Sequence, residues 1–360
     1  MAKALKKFAS SQLAVPLFAL FLLIVFNLIR DVGFFSLSIT INNDGNAVLS
    51  GNIISILNGA SELAILAIGM TLVTASSRGQ DISVGAAAAI AGSVFVSVLK
   101  ENQITMPMIL GAFLASCIVA IIFGAFNGTL VAVFKIQPMI ASLILFSAGR
   151  SIAYWINGGA TPTVESPLLG YIGSFIPGIP IPTPILIVVL FGVLVSLVLR
   201  FTNLGLYTQA VGINERSARL NGINAVFIKL LTFMILGVCA AISGSIAVSR
   251  IGLINHETIL LDIEMDAILA VAIGGNALSG GKFSLTGSVI GAFVIQALTI
   301  TLYAMKVPST AIKAYKAIVI IAIVVIGSPI VKGYVLQLRD MLFKKPTKAK
   351  QDNENGELAL

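Results

Sequence analysis

Residues 108–134 read MILGAFLASCIVAIIFGAFNGTLVAVF, 27 positions without one charged side chain. A helix crossing the hydrocarbon core of a bilayer needs about 20 mostly apolar residues. Within lipid only a helix or a closed barrel can satisfy its own backbone hydrogen bonds. This run shows no period-two alternation, so it reads as a transmembrane helix. Similar runs recur on both sides of it, at 13–29, 52–75, 82–99, 138–157, 183–200, 229–249, 262–280, 286–304 and 314–331. The expectation is an all-α polytopic integral membrane protein with about ten transmembrane helices. Residues 1–332 would form the membrane domain and 333–360 a basic tail.

Composition agrees. Of 360 residues, 57% are hydrophobic and 11% charged, and the mean hydropathy is +1.01. A soluble domain carries roughly 25% charged residues, and disorder needs low hydrophobicity, so both classes are excluded. The loops between ten spans are too short to hold a soluble catalytic domain. Two cysteines, Cys117 and Cys239, lie inside apolar runs and read as small buried residues. One histidine, His256, and scattered carboxylates make no metal-ligand cluster. No nucleophile, base and orienting group occur at usable spacing, so the chain does not read as an enzyme.

The formal charge is +8. Its basic residues gather at span ends rather than in a stripe with interleaved aromatics, which favours a bilayer surface over nucleic acid. With the N-terminus inside, 16 of the 23 Lys and Arg fall on one side, leaving Arg30, Lys100, Arg150, Arg250, Lys306, Lys313 and Lys316 on the other. That bias predicts both termini in the cytoplasm. The first apolar run is too long for a signal-peptide core and reads as a retained first span. The tail lysines Lys344, Lys345, Lys348 and Lys350 suit anionic lipid or solvent. Tyr154 and Trp155 suit an interfacial belt.

Three segments interrupt the helical pattern: 76–85, 274–284 and 201–228. The first two each pair a glycine turn with a polar residue and small residues that open a new helix. Irregular backbone at membrane depth is tolerated only where protein or water covers it; as surface turns they would need no such role. The second contains Gly275-Asn-Ala-Leu-Ser-Gly-Gly-Lys282, which resembles a phosphate-binding loop. The lysine is out of register and Phe283 stands where a hydroxyl is required, so the chain binds no ATP by that route. The motifs Gly124-Ala-Phe-Asn-Gly128 and Gly287-Ser-Val-Ile-Gly291 permit close helix approach; internal packing is the simpler expectation.

In the third segment Asn214 is a good helix N-cap, with Glu215 in the first turn. Asn214, Ala218 and Gly222 recur at every fourth position and predict a small-residue strip on one face, with Arg216 and Arg219 pointing elsewhere. Such a short helix suits docking into another protein's groove, or serves as an interfacial connector. Inside the spans the polar residues are Asn58, Glu62, Asn127, Gln137, Arg150 and Gln296. Intramembrane ionisable groups are functional candidates. Glu62 is the sharpest: it either lines a pathway or is a structural partner for Arg150 or a backbone group. Asp262, Glu264 and Asp266 sit near the outer end of the eighth run, as a partner-facing or a merely solvated rim.

The chain resembles the permease subunits of bacterial ATP-binding-cassette importers for simple sugars, the ribose, galactose and galactofuranose group. The resemblance is carried by Gly69-Met-Thr-Leu-Val73 with Gln80-Asp-Ile-Ser-Val-Gly85, and by Asn127-Gly128 with Lys135-Ile-Gln-Pro-Met-Ile-Ala-Ser-Leu143. It continues through Gly212-Ile-Asn214, Ala218 and Gly222, then Glu264-Met-Asp-Ala-Ile268 with Gly274-Gly-Asn-Ala-Leu-Ser-Gly-Gly281. These lie in order from about residue 52 to 330. One departure is Arg78-Gly-Gln before Asp81-Ile-Ser, where the family has Gly-Gly-Ile.

The resemblance implies a multi-pass protein of the bacterial cytoplasmic (inner) membrane that works beside a second permease subunit, identical or different. It implies separate ATPase subunits that hydrolyse ATP, an extracytoplasmic sugar-binding protein, and no cofactor held by this chain. The coupling residues become Asn214, Glu215, Arg216, Ala218, Arg219, Leu220 and Gly222. The expected pathway residues are Glu62, Arg78, Asp81, Ser83, Asn127, Arg150, Asn276 and Ser279, and the rim facing the binding protein is Asp262, Glu264 and Asp266. The cargo is a monosaccharide; a nucleoside or autoinducer-2 would suit the same importer type. An ion-coupled secondary transporter is the remaining alternative, with Glu62 as its coupling acid.

Overall fold

The computed structural model describes residues 13–41, 47–100, 104–164 and 166–327. The basic tail, the N-terminal lysines and the placement of both termini lie outside the described residues. The architecture is helical, with one small exception. Helix α1 is Ala14–Arg30; a 3-10 turn and a two-stranded antiparallel hairpin follow, β1 Ser38–Ile41 and β2 Ala47–Ser50, with Ser38 opposite Ser50. Then come α2 Asn52–Ser77, α3 Val84–Leu99, α4 Met106–Ala132, α5 Pro138–Ile156, α6 Pro167–Gly173 and α7 Thr183–Phe201. The chain continues with α8 Leu204–Ile213, α9 Glu215–Leu220, α10 Ala225–Ile251, α11 Ile263–Ile273, α12 Leu285–Ala304 and α13 Ser309–Gly327.

The helix starts follow local chemistry. Prolines sit in the first turns of α4, α5, α6 and α7, where the missing N–H has no intrahelical partner to lose. Asn214, Asn224 and Ser284 cap α9, α10 and α12, each accepting from the backbone N–H three residues on. Among the described residues six helices are long and apolar enough to cross a membrane: α2, α4, α5, α7, α10 and α12. Helices α1 and α3 are apolar but shorter.

Two expected spans change shape. The run 82–99 is helical only from Val84, because residues 78–83 form a turn. The run 262–280 yields only α11, 11 residues and roughly 16 Å long at 1.5 Å per residue. Gly274 ends it: a Cβ there would meet the backbone of Gly287 and Ser288 at 2.6 Å. Gly275 then turns the chain with φ +80. Thus α11 spans about half a bilayer.

Helices α2, α10 and α12 form the centre. Helix α10 packs on α4, α2 and α3; α12 packs on α2 and α11; α1 covers α12 and α7 covers α2. Ile65, Leu66, Met70, Ile90, Phe95, Phe233 and Ile246 are fully buried among them. The outward faces of α4, α5 and α7 remain apolar and exposed, as lipid contact requires: Leu110, Leu114, Ile118 and Ile122; Ile140, Leu143 and Ile144; Val189, Leu190, Val193 and Leu194. Trp155 is likewise exposed. Both glycine motifs pack inside the chain. A Cβ on Gly128 would press on Phe233 and Leu230 at 3.1 Å. Gly124 abuts the Phe233 carbonyl, Gly287 that of Gly274, and Gly291 that of Ala270.

Candidate coupling joint and polar residues of the bundle

The ends of α2 and α8, the N-terminus of α10 and the loops at 134–137 and 274–284 converge at one end of the bundle. Helix α2 stops at Arg78, whose φ of 59 is left-handed. For a residue with a Cβ that conformation costs about 1–2 kcal/mol. The cost is offset by what the side chain reaches. Its Nε donates to the Gly212 carbonyl at 2.5 Å, and its Nη2 donates to the Ile213 carbonyl. These belong to the last two residues of α8, where carbonyls lack intrahelical donors and the helix dipole favours a cation. Gly212 lies against the backbone of Ala75, and the N–H of Gly281 donates to the Ala75 carbonyl at 3.0 Å. Gln80 Nε2 donates to the Leu278 carbonyl at 3.1 Å. The two broken segments and the 201–228 segment therefore share one joint, at one end of the bundle.

Glu215 is the electrostatic centre of the joint. Its Oε1 accepts from Lys135 at 2.8 Å and Arg219 at 2.5 Å, and its Oε2 accepts from Lys229 at 2.6 Å. One carboxylate thereby ties α9 to the α4–α5 loop and to α10. Partial burial opposes its ionisation, but the hydrogen bonds and charges of Lys135 and Lys229 outweigh that and hold the carboxyl down at about 2.

Asn214 caps α9 as its sequence predicts, accepting from Ser217 N at 3.0 Å. The expected small-residue strip does not form one outward face. Helix α9 is only six residues long, and Ala218 is buried against Leu204, Val211, Ala225 and Ile228. The helix needs that inward anchor because so short an element has no stability of its own. Leu220 at 84% exposure and Arg216, Arg219 and Gly222 form the outward surface.

The eight expected pathway residues fall in several separate parts of the fold. Arg78 belongs to the joint. Asp81, Ser83 and Asn127 form a buried cluster: Ser83 donates N–H and hydroxyl to Asp81 Oδ1, and Asn127 Nδ2 reaches Asp81 Oδ2 at 3.2 Å and Ser83 Oγ at 2.9 Å. Asn276 is buried and fastens α11 to α12. Its amide donates to Ser288 Oγ at 2.7 Å, and its carbonyl accepts from Ser284 N at 2.6 Å. Ser279 is exposed at the tip of the second break.

Arg150 is not the partner of Glu62. Its Nη1 donates to the carbonyls of His256, Glu257 and Ile259 at 2.7, 3.2 and 3.2 Å, in the loop before α11. The partner of Glu62 is Arg250, with Nη1 and Oε1 2.9 Å apart. The sequence places Arg250 just past the run 229–249, on the side opposite the N-terminus, and names no partner for it. Its place at the C-terminus of α10 was the available signal, but the pairing is tertiary. The acidic rim also divides. Asp262 pairs with Lys313 and Asp266 with Lys316 at 2.6 Å. Glu264 is 2% exposed rather than a solvated rim residue, because it turns into the bundle beside Gly85.

Residues 52–327 match the family described as branched-chain amino acid transport system / permease component. The chain is 42% identical over 282 residues to the galactofuranose transporter permease protein YtfT of Escherichia coli, covering 78% of this chain and 80% of that protein. It is 36% identical over 329 residues to the fructose import permease protein FruF of Bifidobacterium longum, 90% of each. It is 33% identical over 283 residues to the ribose import permease protein RbsC of Escherichia coli, 77% of this chain and 85% of that protein. No solved structure matches the chain significantly.

Proposed function

The chain belongs to the branched-chain amino acid transport system / permease component family, and on that premise we propose that it is the membrane-spanning permease subunit of an ATP-binding-cassette importer for a monosaccharide. The observation that carries the cargo class is similarity along 77–90% of the chain to permeases named for galactofuranose, fructose and ribose. The protein sits in the bacterial inner membrane as one of a pair of permease subunits, with about ten membrane helices and both termini in the cytoplasm. A binding protein delivers sugar at the outer end, and ATPase subunits dock at the inner end.

The joint around Glu215 supplies the mechanism. Leu220, Arg216, Arg219 and Gly222 present the surface that an ATPase subunit would engage. Displacement of α9 passes through Glu215 to α4, α5 and α10. It passes through Arg78 and Gly212 to both broken segments. Alternating access needs such a two-state element in contact with the spans. ATP is bound and hydrolysed by the partner subunits, and this chain forms the route.

The test is reconstitution with an ATPase subunit and a binding protein from the same source, scoring ATP hydrolysis against a panel of pentoses and hexoses. Stimulation by one sugar is the expected result. An assembled complex that responds only to a nucleoside or to autoinducer-2 would overturn the sugar assignment. A chain that moves sugar with an ion gradient and binds no ATPase would overturn the importer reading.

A further inference from the structure

A groove runs up the outside of the bundle between α7 and α12, floored by Ile68 of α2. Its α7 wall carries Gly192, Ser196 and Arg200, four residues apart and so on one face, with Phe293 of α12 on the other side. Val289, one turn into α12, also lines it. Helix α12 begins at the broken segment of the joint, and α7 leads past Phe201 into α8, which ends in the joint. Arg200 therefore marks the joint end of the groove. We propose that the groove holds one anionic phospholipid from the leaflet on that side, its phosphate on Arg200 and an acyl chain along α7. The proposal stands apart from the importer reading.

Charge names the headgroup. Arg200 is exposed and has no hydrogen-bond or ion-pair partner among the described residues. A free cation at the end of an apolar groove in a bilayer calls for an anion. This chain does not supply one. At the joint end the described carboxyls are Glu215, already held by three cations, and Asp81, buried with Ser83 and Asn127. A second copy of the chain brings no free carboxylate to this level for the same reason, whereas the leaflet brings a phosphate.

Length and order point the same way. From Val188 to Arg200 the α7 wall rises about 18 Å at 1.5 Å per residue. One leaflet of a hydrocarbon core of about 30 Å is about 15 Å deep. The polar groups follow the order of a phospholipid. The cation meets the phosphate, and the exposed Ser196 hydroxyl, roughly 6 Å further in, meets an ester carbonyl. Beyond Ser196 the lining is apolar side chains and Gly192. A Cβ on Gly192 would meet only Ile68 Cδ1, at 3.9 Å, so this glycine keeps the groove open instead of packing on a neighbouring backbone as Gly124 does. An arginine at any helix end snorkels to headgroups; the groove beside Arg200 is what turns that contact into a site.

The test uses the full chain in micelles with equal amounts of phosphatidylglycerol and phosphatidylcholine, and native mass spectrometry to count the lipids that each chain keeps. The unaltered protein should keep one phosphatidylglycerol, about fivefold in preference to phosphatidylcholine, the bias one basic residue gives at a membrane surface. Arg200→Gln should keep the two lipids equally. Gly192→Leu fills the groove and leaves the charge in place, and it should keep neither. Both positions face outward, and Gly192→Leu carries the test alone if Arg200→Gln does not fold. Equal retention of the two lipids by the unaltered protein overturns the site. So does phosphatidylglycerol kept by Gly192→Leu, which would reduce Arg200 to a general headgroup contact. Disulfide-linked dimers of Ser196→Cys in membranes, absent from the unaltered protein, would place a second copy in the groove and overturn it as well.

Discussion

Gly212, at the end of α8, lies backbone to backbone with Ala75, near the end of α2, so closely that a Cβ on Gly212 would overlap the Ala75 carbonyl oxygen. The same Cβ would stand 2.8 Å from the Gly281 nitrogen. Three segments distant in sequence are therefore in contact at one glycine. Gly212→Ala must push them apart, and backbone cannot yield as a side-chain tip does. Overpacking of this kind costs about 1–3 kcal/mol. We expect a lower melting temperature and loss of most transport, read by thermal unfolding in detergent and by uptake in vesicles. Normal values in both would mean that the joint has slack.

Arg78 tests whether that contact transmits force. Removing its two bonds to the end of α8 in Arg78→Ala should leave ATP hydrolysis running while uptake falls, raising the ATP consumed per sugar several-fold. An unchanged ratio would reduce Arg78 to a helix cap.

Glu215 gives a pH signature with a definite sign. Its carboxyl is held at about 2, below the ordinary 4.5. A carboxyl depressed on folding contributes stability above its unfolded value and loses it as pH falls through the folded one. Melting temperatures of the unaltered protein and of Glu215→Gln should differ by a constant few degrees above about pH 5. The gap should close as pH falls from 4.5 towards 2. A gap that instead opens below pH 4 would contradict the ion-pair assignment.

Gly222 has a φ of +80 with open space around its Cα. The backbone term alone costs a non-glycine residue about 1–2 kcal/mol, and Asn tolerates the left-handed region best. Gly222→Asn should therefore keep ATPase binding, whereas Gly222→Trp should stay inserted but fail to co-purify with the ATPase. Co-purification of the Trp variant would move the dock elsewhere.

Asn127 is 1% exposed and donates to both Asp81 and Ser83. Asn127→Ala strips those acceptors inside the bundle and should destabilise the protein by about 1–3 kcal/mol. Denaturation in mixed micelles would measure it, and a change under 0.5 kcal/mol would show that water replaces the amide.

Long uncharged runs such as 108–134 were fully legible, because lipid imposes one length and one hydropathy on every helix that faces it. Caps were legible too, since the Asn214 bond is local. Half-helix α11 was not. The run was read to residue 280, whereas Gly275 turns the chain with φ +80 and the Asn276 N–H closes the helix on the Val271 carbonyl at 3.2 Å. The hairpin Ser38–Ile41 with Ala47–Ser50 was missed for a related reason, being too short to show a period. The candidate site was legible as residue types, not as pairs. Glu62 stood out as a lone acid, while its match with Arg250 joins positions 188 residues apart. Ala218 was read as part of a small-residue strip suited to docking, because spacing along a helix fixes a shared face but not which way that face turns.

The glycines of α10 carry one more consequence. Gly237 abuts the Ala120 carbonyl of α4 and Gly244 the Ala88 carbonyl of α3, while Phe233 offers its own carbonyl to Gly124. At each point the Cα–H group of a glycine faces a peptide oxygen, a weak polar attraction that lipid tails cannot replace. The tolerance of this protein to random mutation should therefore be sharply uneven. Its lipid-facing Leu, Ile, Val and Phe positions can exchange freely among themselves. At Gly124, Gly237 and Gly244, as at Gly287 and Gly291, even a single methyl group is too much, so saturation mutagenesis should return only silent codons there while the lipid-facing positions stay permissive.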